Sequence, residues 1–207
     1  MPLNVAVIGA GISGIGAALL AKSRGHDTWV TDAQEIRAER KDILNQHQIP
    51  FEEKGHSLER LLASDLIVKS PGIANTSPLM MQLTEAGKEV IGEIEWAYRN
   101  ADGRIIGITG SNGKTTVTGL CHHFLASAGI RAAKVGNVGE GFCDYLATGS
   151  ADWYVCELSS FQLEDVDTFR PQVAILLNIT PDHLDRYGYS IDRYAEAKMR
   201  ITEHMIE

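Results

Sequence analysis

Short, largely apolar runs recur along the chain and alternate with longer segments of helical periodicity. The first run covers residues 3–8, and similar runs follow at 28–31, 66–69 and 88–91. Runs of this kind are typical of strands buried on both faces, and their alternation with helices predicts a parallel sheet. Small and apolar side chains at helical spacing predict the first helix at 12–24.

This alternation is interrupted once, by a charged stretch. Residues 92–103 read GEIEWAYRNADG, and a new strand is predicted directly afterwards at 104–109. We therefore predict two α/β domains, one over residues 1–95 and the other over 96–207.

Three later apolar runs continue the pattern in the second domain. They cover residues 132–135, 153–156 and 173–177, and each is followed by a polar loop. Binding sites of parallel sheets lie at the carboxyl ends of the strands, so these loops are candidate site segments. Residues 191–207 have a helical pattern without a capping residue and predict a final helix.

The composition is that of an ordinary globular protein. The chain has 207 residues, 44% of them hydrophobic and 22% charged, with 20 Gly and 6 Pro, which excludes disordered and collagen-like classes. The formal net charge is -8, so no basic nucleic-acid-binding surface is expected. The three cysteines are widely spaced, which indicates neither a disulfide framework nor a zinc site and favours the cytoplasm.

The uncharged and largely apolar segment 1–21 could be mistaken for a targeting sequence. It lacks a basic amino-terminal region, and glycines interrupt its apolar run, so we expect neither a signal peptide nor a membrane span. A strand, a turn and a helix account for the same residues.

The first glycine turn reads GAGISG over residues 9–14 and lies between a predicted strand and a predicted helix. Asp32 follows the next strand. Together they form the G-x-G-x-x-G fingerprint in its expected context, in which Gly11 allows close backbone approach and the helix start attracts an anion. The turn recognises phosphate rather than nicotinamide, so an oxidoreductase, another nucleotide-binding protein and a purely structural turn remain open.

The second glycine turn, GITGSNGKTT over residues 107–116, is similar to a phosphate-binding loop. It departs from the G-x-x-x-x-G-K-[ST] pattern because Ile108 stands at the position of the first glycine. The chemistry still fits, since backbone N–H groups can surround phosphate oxygens, Lys114 can neutralise phosphate charge, and the Thr115 hydroxyl can ligate Mg²⁺. A structural turn with a solvated lysine is the alternative.

Further polar groups follow the later strands. Glu157 ends one predicted strand, a position suited to a carboxylate that holds a metal near nucleotide phosphates. The segment 178–185, NITPDHLD, follows the next strand and contains His183. Taken alone, Glu157 would be a solvated strand end, His183 a surface or capping histidine, and Lys198 an exposed helix lysine.

Four motifs in order resemble the bacterial Mur ligases: TGSNGKTT, ELSSFQLE, LNITPDHLDRYG and YAEAKMRI, behind an N-terminal GAGISG and VKSPGI. The resemblance covers nearly the whole chain and is closest to the members that add D-glutamate. It implies an α/β fold, with a Rossmann-like parallel-sheet domain over 1–95 and the first part of a P-loop ATPase-type domain over 96–207.

The activity implied by this resemblance is that of a cytoplasmic, ATP-dependent ligase of peptidoglycan precursor synthesis. Such an enzyme joins D-glutamate to UDP-N-acetylmuramoyl-L-alanine through an acyl phosphate and releases ADP and phosphate. ATP and Mg²⁺ are the implied cofactors, and no nucleic-acid or membrane partner is expected.

The resemblance also implies roles for individual residues. The first domain would bind the UDP substrate, and the implied substrate contacts are Gly11, Ile12, Ser13, Asp32, Ser70, Pro71, Gly72 and Asn137. The implied ATP contacts are Gly110, Ser111, Asn112, Gly113, Lys114, Thr115 and Thr116. The implied metal-binding residues are Thr115, Glu157, His183 and Lys198, and the implied catalytic residues are Lys114, His183 and Lys198. The lysine matching Lys198 is carbamylated in the family, which makes it an anion able to coordinate a second Mg²⁺.

Members of the family continue into a third domain that supplies the site of the incoming amino acid. The resemblance therefore leads us to expect that this chain, which stops at Glu207, lacks the C-terminal domain and is inactive alone. Two rival functions remain. An NAD(P)-dependent oxidoreductase would leave TGSNGKTT unexplained, and a nonenzymatic nucleotide-binding module would use the same turns without catalysis.

Overall fold

Five parallel strands form the first sheet in a computed structural model that describes residues 1–205. These strands are β1 (Asn4–Ile8), β2 (Asp27–Thr31), β3 (Phe51–Glu52), β4 (Leu66–Lys69) and β5 (Val90–Gly92). Their spatial order is β3-β2-β1-β4-β5, and Val7 of β1 pairs with Val30 and Val68 on its two sides. The order reverses between β1 and β4, which is where ligands bind in open parallel sheets.

Helices connect the strands of this sheet, and one further helix leads to the second domain. They are α1 (Ile12–Ser23), α2 (Ala38–Gln46), α3 (Leu58–Ala63), α4 (Pro78–Glu85) and α5 (Glu93–Asn100). The middle strands are buried on both faces, as their uninterrupted apolar sequences predict.

The second sheet has four parallel strands, β6 (Arg104–Thr109), β7 (Ala132–Gly136), β8 (Trp153–Glu157) and β9 (Val173–Leu176), in the order β7-β8-β6-β9. Its helices are α6 (Lys114–Ser127), α7 (Phe142–Thr148), α8 (Ser160–Leu163) and α9 (Ile191–Met199). The predicted α/β class with parallel sheets is confirmed. No helix within residues 1–205 has the length and apolar composition needed to cross a membrane.

Close packing of α1 joins the two domains. Gly14 lies so near the first turn that an added Cβ would overlap the carbonyl oxygen of Gly9. Two residues further along the helix, an added Cβ on Gly16 would lie 2.6 Å from Oδ1 of Asp144, because α1 packs directly on α7. A single hydrophobic core extends through this contact, from Leu20 in the first domain to Phe142 in the second.

Buried polar contacts fix the same interface. Nζ of Lys69 lies 2.5 Å from Oδ2 of Asp165, and both side chains are almost fully buried. Glu95 on α5 is also buried, and its carboxylate accepts hydrogen bonds from the backbone N–H groups of residues 167–169 at 2.9 to 3.0 Å. The segment between α8 and β9 is therefore anchored to the first domain.

Two predictions about the final helix are wrong. The final helix does not run from 191 to 207: α9 ends at Met199, a 3₁₀ helix covers Arg200–Thr202, and residues 206–207 lie outside the described part. This helix is also capped, since Oγ of Ser190 accepts a hydrogen bond from the third residue of the helix. The charged stretch 92–103 is mostly helix α5, whose glutamates face the interior. The domain boundary predicted between residues 95 and 96 falls within α5 and stays a prediction.

Candidate functional site

The first glycine turn connects β1 to α1 and is held by side chains from two other loops. Gly9 has φ of +95°, and an added Cβ would lie 2.7 Å from Oγ of Ser70, so this position requires glycine. Oδ2 of Asp32 accepts the N–H of Ala10 at 2.6 Å. Helix α1 begins after Gly11 without a side-chain cap, which leaves its first N–H groups available to an anion.

An apolar cavity of about 430 Å³ lies on one side of this turn. Its walls include Ile8, Ile73 and Leu79, and Asp32 and His56 add polar groups. We call it the apolar cavity. A flat ring bound by a few precisely placed polar groups is the kind of ligand that such a cavity accommodates.

On the other side of the turn, a cleft of about 260 Å³ separates the two domains. The first domain lines it with Ile12, Ser13, Pro71 and Gly72, and the second domain lines it with Asn137 among others. These are five of the eight predicted substrate contacts, and the structure brings them together. Of the other three, Asp32 lines the apolar cavity, and Gly11 and Ser70 belong to the loops between the two cavities.

The predicted phosphate-binding loop connects β6 to α6. Gly113 has φ of +85° and precedes the first residue of the helix, Lys114. Nζ of Lys114 donates hydrogen bonds to the carbonyl oxygens of Gly110 at 2.8 Å and Ser111 at 2.9 Å. Nζ of Lys198 donates to the same Gly110 oxygen at 3.0 Å. Two ammonium groups from distant parts of the chain therefore meet at this loop.

Residues after β9 hold the phosphate-binding loop in place. Oδ1 of Asn178 accepts the N–H of Asn112 at 3.0 Å. Oγ of Ser111 donates to the carbonyl oxygen of Thr180 at 2.8 Å. The loop conformation is thus determined by hydrogen bonds from a neighbouring strand end, in addition to its glycines.

A smaller cavity of about 150 Å³, which we call the phosphate pocket, lies beside this loop. The predicted residues Lys114, His183 and Lys198 line it. Its remaining lining residues are Asn137, Ser159, Ser160, Phe161, Asp182 and Tyr194. Asn137, Ser159 and Phe161 also line the interdomain cleft, so the cleft and the phosphate pocket adjoin each other.

Lys198 has an unusual electrostatic environment. Its side chain is buried, and its Nζ lies 4.6 Å from the centre of the Tyr194 ring. The pKa of Lys198 is lowered to about 8, mainly by burial; the positive charge of Lys114 contributes to this decrease, and Asp182 acts in the opposite direction. A larger fraction of Lys198 is therefore a neutral amine than of an exposed lysine.

Glu157 at the end of β8 fits a bound cation. Its side chain is buried, and Oε1 accepts a hydrogen bond from Nδ2 of Asn137 at 3.3 Å. Oε2 is buried and has no hydrogen-bond partner in the part of the chain that the structure describes. A buried, unpaired carboxylate oxygen is costly, and a cation would remove that cost.

Two of the predicted metal-binding residues, His183 and Thr115, are less enclosed than Glu157 and Lys198. His183 has φ of +49° and an exposed side chain, and its Nε2 lies 3.7 Å from Oδ1 of Asp182. Thr115 and Thr116 are exposed in the first turn of α6. No three His, Cys, Asp or Glu side chains within residues 1–205 are arranged to hold a metal. Mg²⁺ commonly uses one or two carboxylates together with phosphate oxygens and water, so Glu157 alone suits a phosphate-dependent site.

Several residues that line these cavities were not predicted from the sequence. Ser159 begins a capping box in which its Oγ accepts the N–H of Gln162, and the S-x-x-Q pattern was a readable signal. Asp182 adjoins the predicted His183 and shares its loop. His56 follows no motif, and only the fold brings it to the apolar cavity.

The fold and the site define a class: a two-domain α/β protein in which two glycine-rich turns between a strand and a helix border adjoining cavities. Comparison with known families agrees. Residues 3–92 match the Mur ligase MurD-like N-terminal domain, and residues 108–207 match the Mur ligase middle domain. The chain belongs to the Mur ligase family, as its motifs predict.

Similar proteins carry consistent names. The chain is 48% identical over 201 residues to UDP-N-acetylmuramoylalanine--D-glutamate ligase of Bacteroides fragilis, covering 97% of this chain and 45% of that protein. It is 47% identical over 207 residues to the protein of the same name from Cytophaga hutchinsonii, covering 99% and 46%. The chain thus spans somewhat less than half the length of these curated relatives.

A solved structure supports the fold. The UDP-N-acetylmuramate:L-alanyl-gamma-D-glutamyl-meso-diaminopimelate ligase from Neisseria meningitides superposes with a TM-score of 0.68, covering 100% of this chain and 69% of that chain. The sequence identity is 16%, so the likeness concerns the fold alone.

Proposed function

We propose that this chain provides the UDP-substrate and ATP sites of an ATP-dependent ligase that joins D-glutamate to UDP-N-acetylmuramoyl-L-alanine in peptidoglycan precursor synthesis. The observation that carries the proposal is the continuity of the site. The apolar cavity, the glycine turn, the cleft and the phosphate pocket follow one another, and Asn137, Ser159 and Phe161 line both of the last two. The names of the relatives support the choice of substrates.

An extended sugar nucleotide fits this arrangement from end to end. Its uridine would occupy the apolar cavity beside Asp32, and its diphosphate would lie on the N–H groups of Ile12 and Ser13. The muramoyl-alanine portion would follow the cleft past Pro71 to Asn137, with its terminal carboxylate directed to the phosphate pocket. Each part of the substrate then meets groups of matching chemistry.

The proposed reaction brings two anions together. An oxygen of the substrate carboxylate attacks the γ-phosphorus of ATP, the bond to ADP breaks, and an acyl phosphate forms. The amine of D-glutamate then attacks the acyl carbon, loses a proton and expels phosphate. Lys114 and the first N–H groups of α6 would offset the repulsion between carboxylate and phosphate, which is the main electrostatic demand of the first step.

Two groups absent from the polypeptide itself complete the proposal. Mg²⁺ would supply charge neutralisation at the phosphates, and the unpaired oxygen of Glu157 is the residue atom that fits it best. Lys198 would be carbamylated: its neutral amine bonds to the carbon of CO₂ and releases a proton, which leaves an anion at the phosphate pocket. The burial and lowered pKa of Lys198 support this assignment, since only the neutral amine reacts.

The division of labour between the two domains is testable by calorimetric titration with UDP-N-acetylmuramoyl-L-alanine and with ATP and Mg²⁺. We expect Lys114→Ala to weaken ATP binding about tenfold or more and to change the affinity for the UDP compound far less. Lys22→Ala, an exposed lysine on α1, is the control and should change neither affinity. Unchanged ATP affinity in Lys114→Ala would remove the phosphate-loop assignment.

Carbamylation has its own readout. Carbon-13 NMR of the protein in labelled bicarbonate with Mg²⁺ should give a carbamate signal that is absent from Lys198→Ala. Lys134→Ala, which removes an exposed lysine of β7, should retain the signal. If Lys198→Ala shows the same signal as the parent, Lys198 is not the modified residue.

A further inference from the structure

Arg186 connects the loop after β9 to the first domain. This loop, residues 177–190, also contains Asp182 and His183, which line the phosphate pocket. Nη2 of Arg186 donates to the carbonyl oxygen of Pro71 at 3.2 Å, and no other hydrogen bond within residues 1–205 joins this loop to residues 1–95. The proposed substrate and ATP contacts give Arg186 no role.

Groups of the second domain hold the same guanidinium. Nη2 lies 2.7 Å from Oε2 of Glu164, the residue after α8, and Nε lies 3.2 Å from Oε1. The hydroxyl of Tyr187 donates to the same carboxylate at 2.6 Å. Cζ of Arg186 lies 4.4 Å from the centre of the Phe161 ring, a distance at which a cation is attracted to the ring face. A planar group with several donors is suited to these simultaneous contacts.

Two of these partners are wall residues of the site. Pro71 from the first domain and Phe161 from the second both line the cleft. Phe161 also lines the phosphate pocket, and its ring centre lies 5.3 Å from that of His183. The guanidinium of Arg186 therefore contacts one wall residue of each domain where the cleft adjoins the phosphate pocket.

The domains have other contacts that keep them docked. Lys69 and Asp165 form an ion pair between them that is almost fully buried, and Glu95 accepts three backbone N–H groups of residues 167–169. The side chains of Arg186 and Glu164 are each 22% exposed, and water weakens an ion pair in such a position. Loss of Arg186 should therefore loosen the two wall residues without separating the domains.

We propose that Arg186 is a positioning residue for the muramoyl-alanine portion of the substrate, because it holds Pro71 and Phe161 in place where the cleft adjoins the phosphate pocket. This inference rests on the proposed function, since it takes the cleft to hold that portion of the substrate. Wall residues that are already ordered favour binding, because less conformational freedom is lost when the ligand arrives. The uridine and the diphosphate lie at the apolar cavity and the glycine turn in this proposal, so Arg186 should affect their binding little.

The test is calorimetric titration of the chain and of three variants with UDP and with UDP-N-acetylmuramoyl-L-alanine. Arg186→Met keeps an unbranched side chain beside Phe161 but removes every donor. It should weaken binding of the longer ligand about tenfold and change the affinity for UDP less than about twofold. Arg186→Lys keeps one charged donor group and should recover part of the loss. Arg170→Met, which removes an exposed arginine before β9, is the control and should match the parent.

The results separate this inference from the function on which it rests. A parent that binds neither ligand, or that binds both equally tightly, contradicts the proposed function. If the parent prefers the longer ligand, either of two results overturns the role of Arg186 and leaves the ligase proposal intact. One is an Arg186→Met variant that keeps the full preference, and the other is a variant that loses affinity for both ligands equally, as a general loss of structure would cause.

Nitrogen-15 NMR of the parent gives a second measurement that does not depend on how the variants fold. The Nε–H signal of Arg186 should shift when the longer ligand is added, because the guanidinium contacts two residues of the cleft wall. The same signal should stay nearly unchanged with UDP. Equal shifts with both ligands would overturn the inference.

Discussion

Glu93 at the start of α5 carries the clearest pH-dependent energy in the structure. Its side chain is 4% exposed, and Oε1 accepts the N–H of Cys143 at 3.1 Å. The pKa of Glu93 is raised from 4.5 to about 7, mainly by burial; the bond from Cys143 acts in the opposite direction, and the nearby Asp144 contributes to the increase. The charged form is therefore disfavoured in the folded state.

The magnitude follows from the two pKa values. At low pH Glu93 is protonated in both states and costs nothing. As the pH rises from 4.5 to about 7, the unfolded chain ionises while the folded protein keeps its proton, so stability falls. Above about pH 7 the loss in the free energy of unfolding is complete. It amounts to about 3 kcal/mol, because each tenfold difference in proton affinity corresponds to about 1.4 kcal/mol.

Replacing Glu93 with glutamine should remove this dependence, because the amide has the shape of the protonated acid and keeps the acceptor for Cys143. Urea denaturation of parent and Glu93→Gln at several pH values measures the difference in the free energy of unfolding. That difference should move in favour of the variant by about 3 kcal/mol between about pH 4.5 and pH 8.

Glu95, two residues further along α5, is the matched control. It is buried too, and burial by itself would raise its pKa. The hydrogen bonds that it accepts from Thr168, Asp167 and Arg99 have the larger effect and lower the pKa of Glu95. A lowered pKa contributes stability above about 4.5 that is lost only in acid, so Glu95→Gln should be destabilising by about 2 kcal/mol or more, evenly from about pH 5 to pH 8. A difference for Glu93→Gln that is equally flat over this range would refute the reasoning.

Further predictions concern the contact between the domains, and urea denaturation measures each of them. Gly16→Ala should lower the free energy of unfolding by about 1–3 kcal/mol, because its Cβ would overlap the carboxylate of Asp144. Gly119 in α6 has open space around it, so Gly119→Ala should raise the free energy of unfolding by about 0.5–1 kcal/mol. Equal effects of the two substitutions would contradict the packing of Gly16 against Asp144. Lys69→Met should lower the free energy of unfolding by about 3–5 kcal/mol, because it leaves Asp165 buried without its cation. Adding Asp165→Asn to this variant should recover part of the loss. If Lys69→Met alone is as stable as the parent, the ion pair is not buried in solution.

Local signals were enough to predict most of the fold. Both glycine turns lie where a strand meets a helix, and the positive φ of Gly9 and Gly113 shows that the chain geometry itself requires these residues. The apolar runs identify the central strands because parallel strands are buried on both faces. A short strand such as β3, with two residues, gives no such pattern and was not predicted.

Long-range contacts account for what the sequence did not reveal. Glu93 and Glu95 resemble solvated residues in the charged stretch 92–103, yet the backbone N–H groups that donate to them belong to Cys143 and to residues 167–169. Neither partner can be identified from the sequence near the glutamates.

The proposed function requires that the first domain hold a UDP-linked substrate whose far end reaches the phosphate pocket. Backbone nitrogen-15 NMR tests it directly, by titrating the chain with UDP-N-acetylmuramoyl-L-alanine and, separately, with NADH. We expect the UDP compound to shift the amide signals of Ile12, Ser13, Gly72 and Asn137 together and NADH to leave them in place. NADH-induced shifts at Ile12 and Ser13, with no response to the UDP compound, would contradict it.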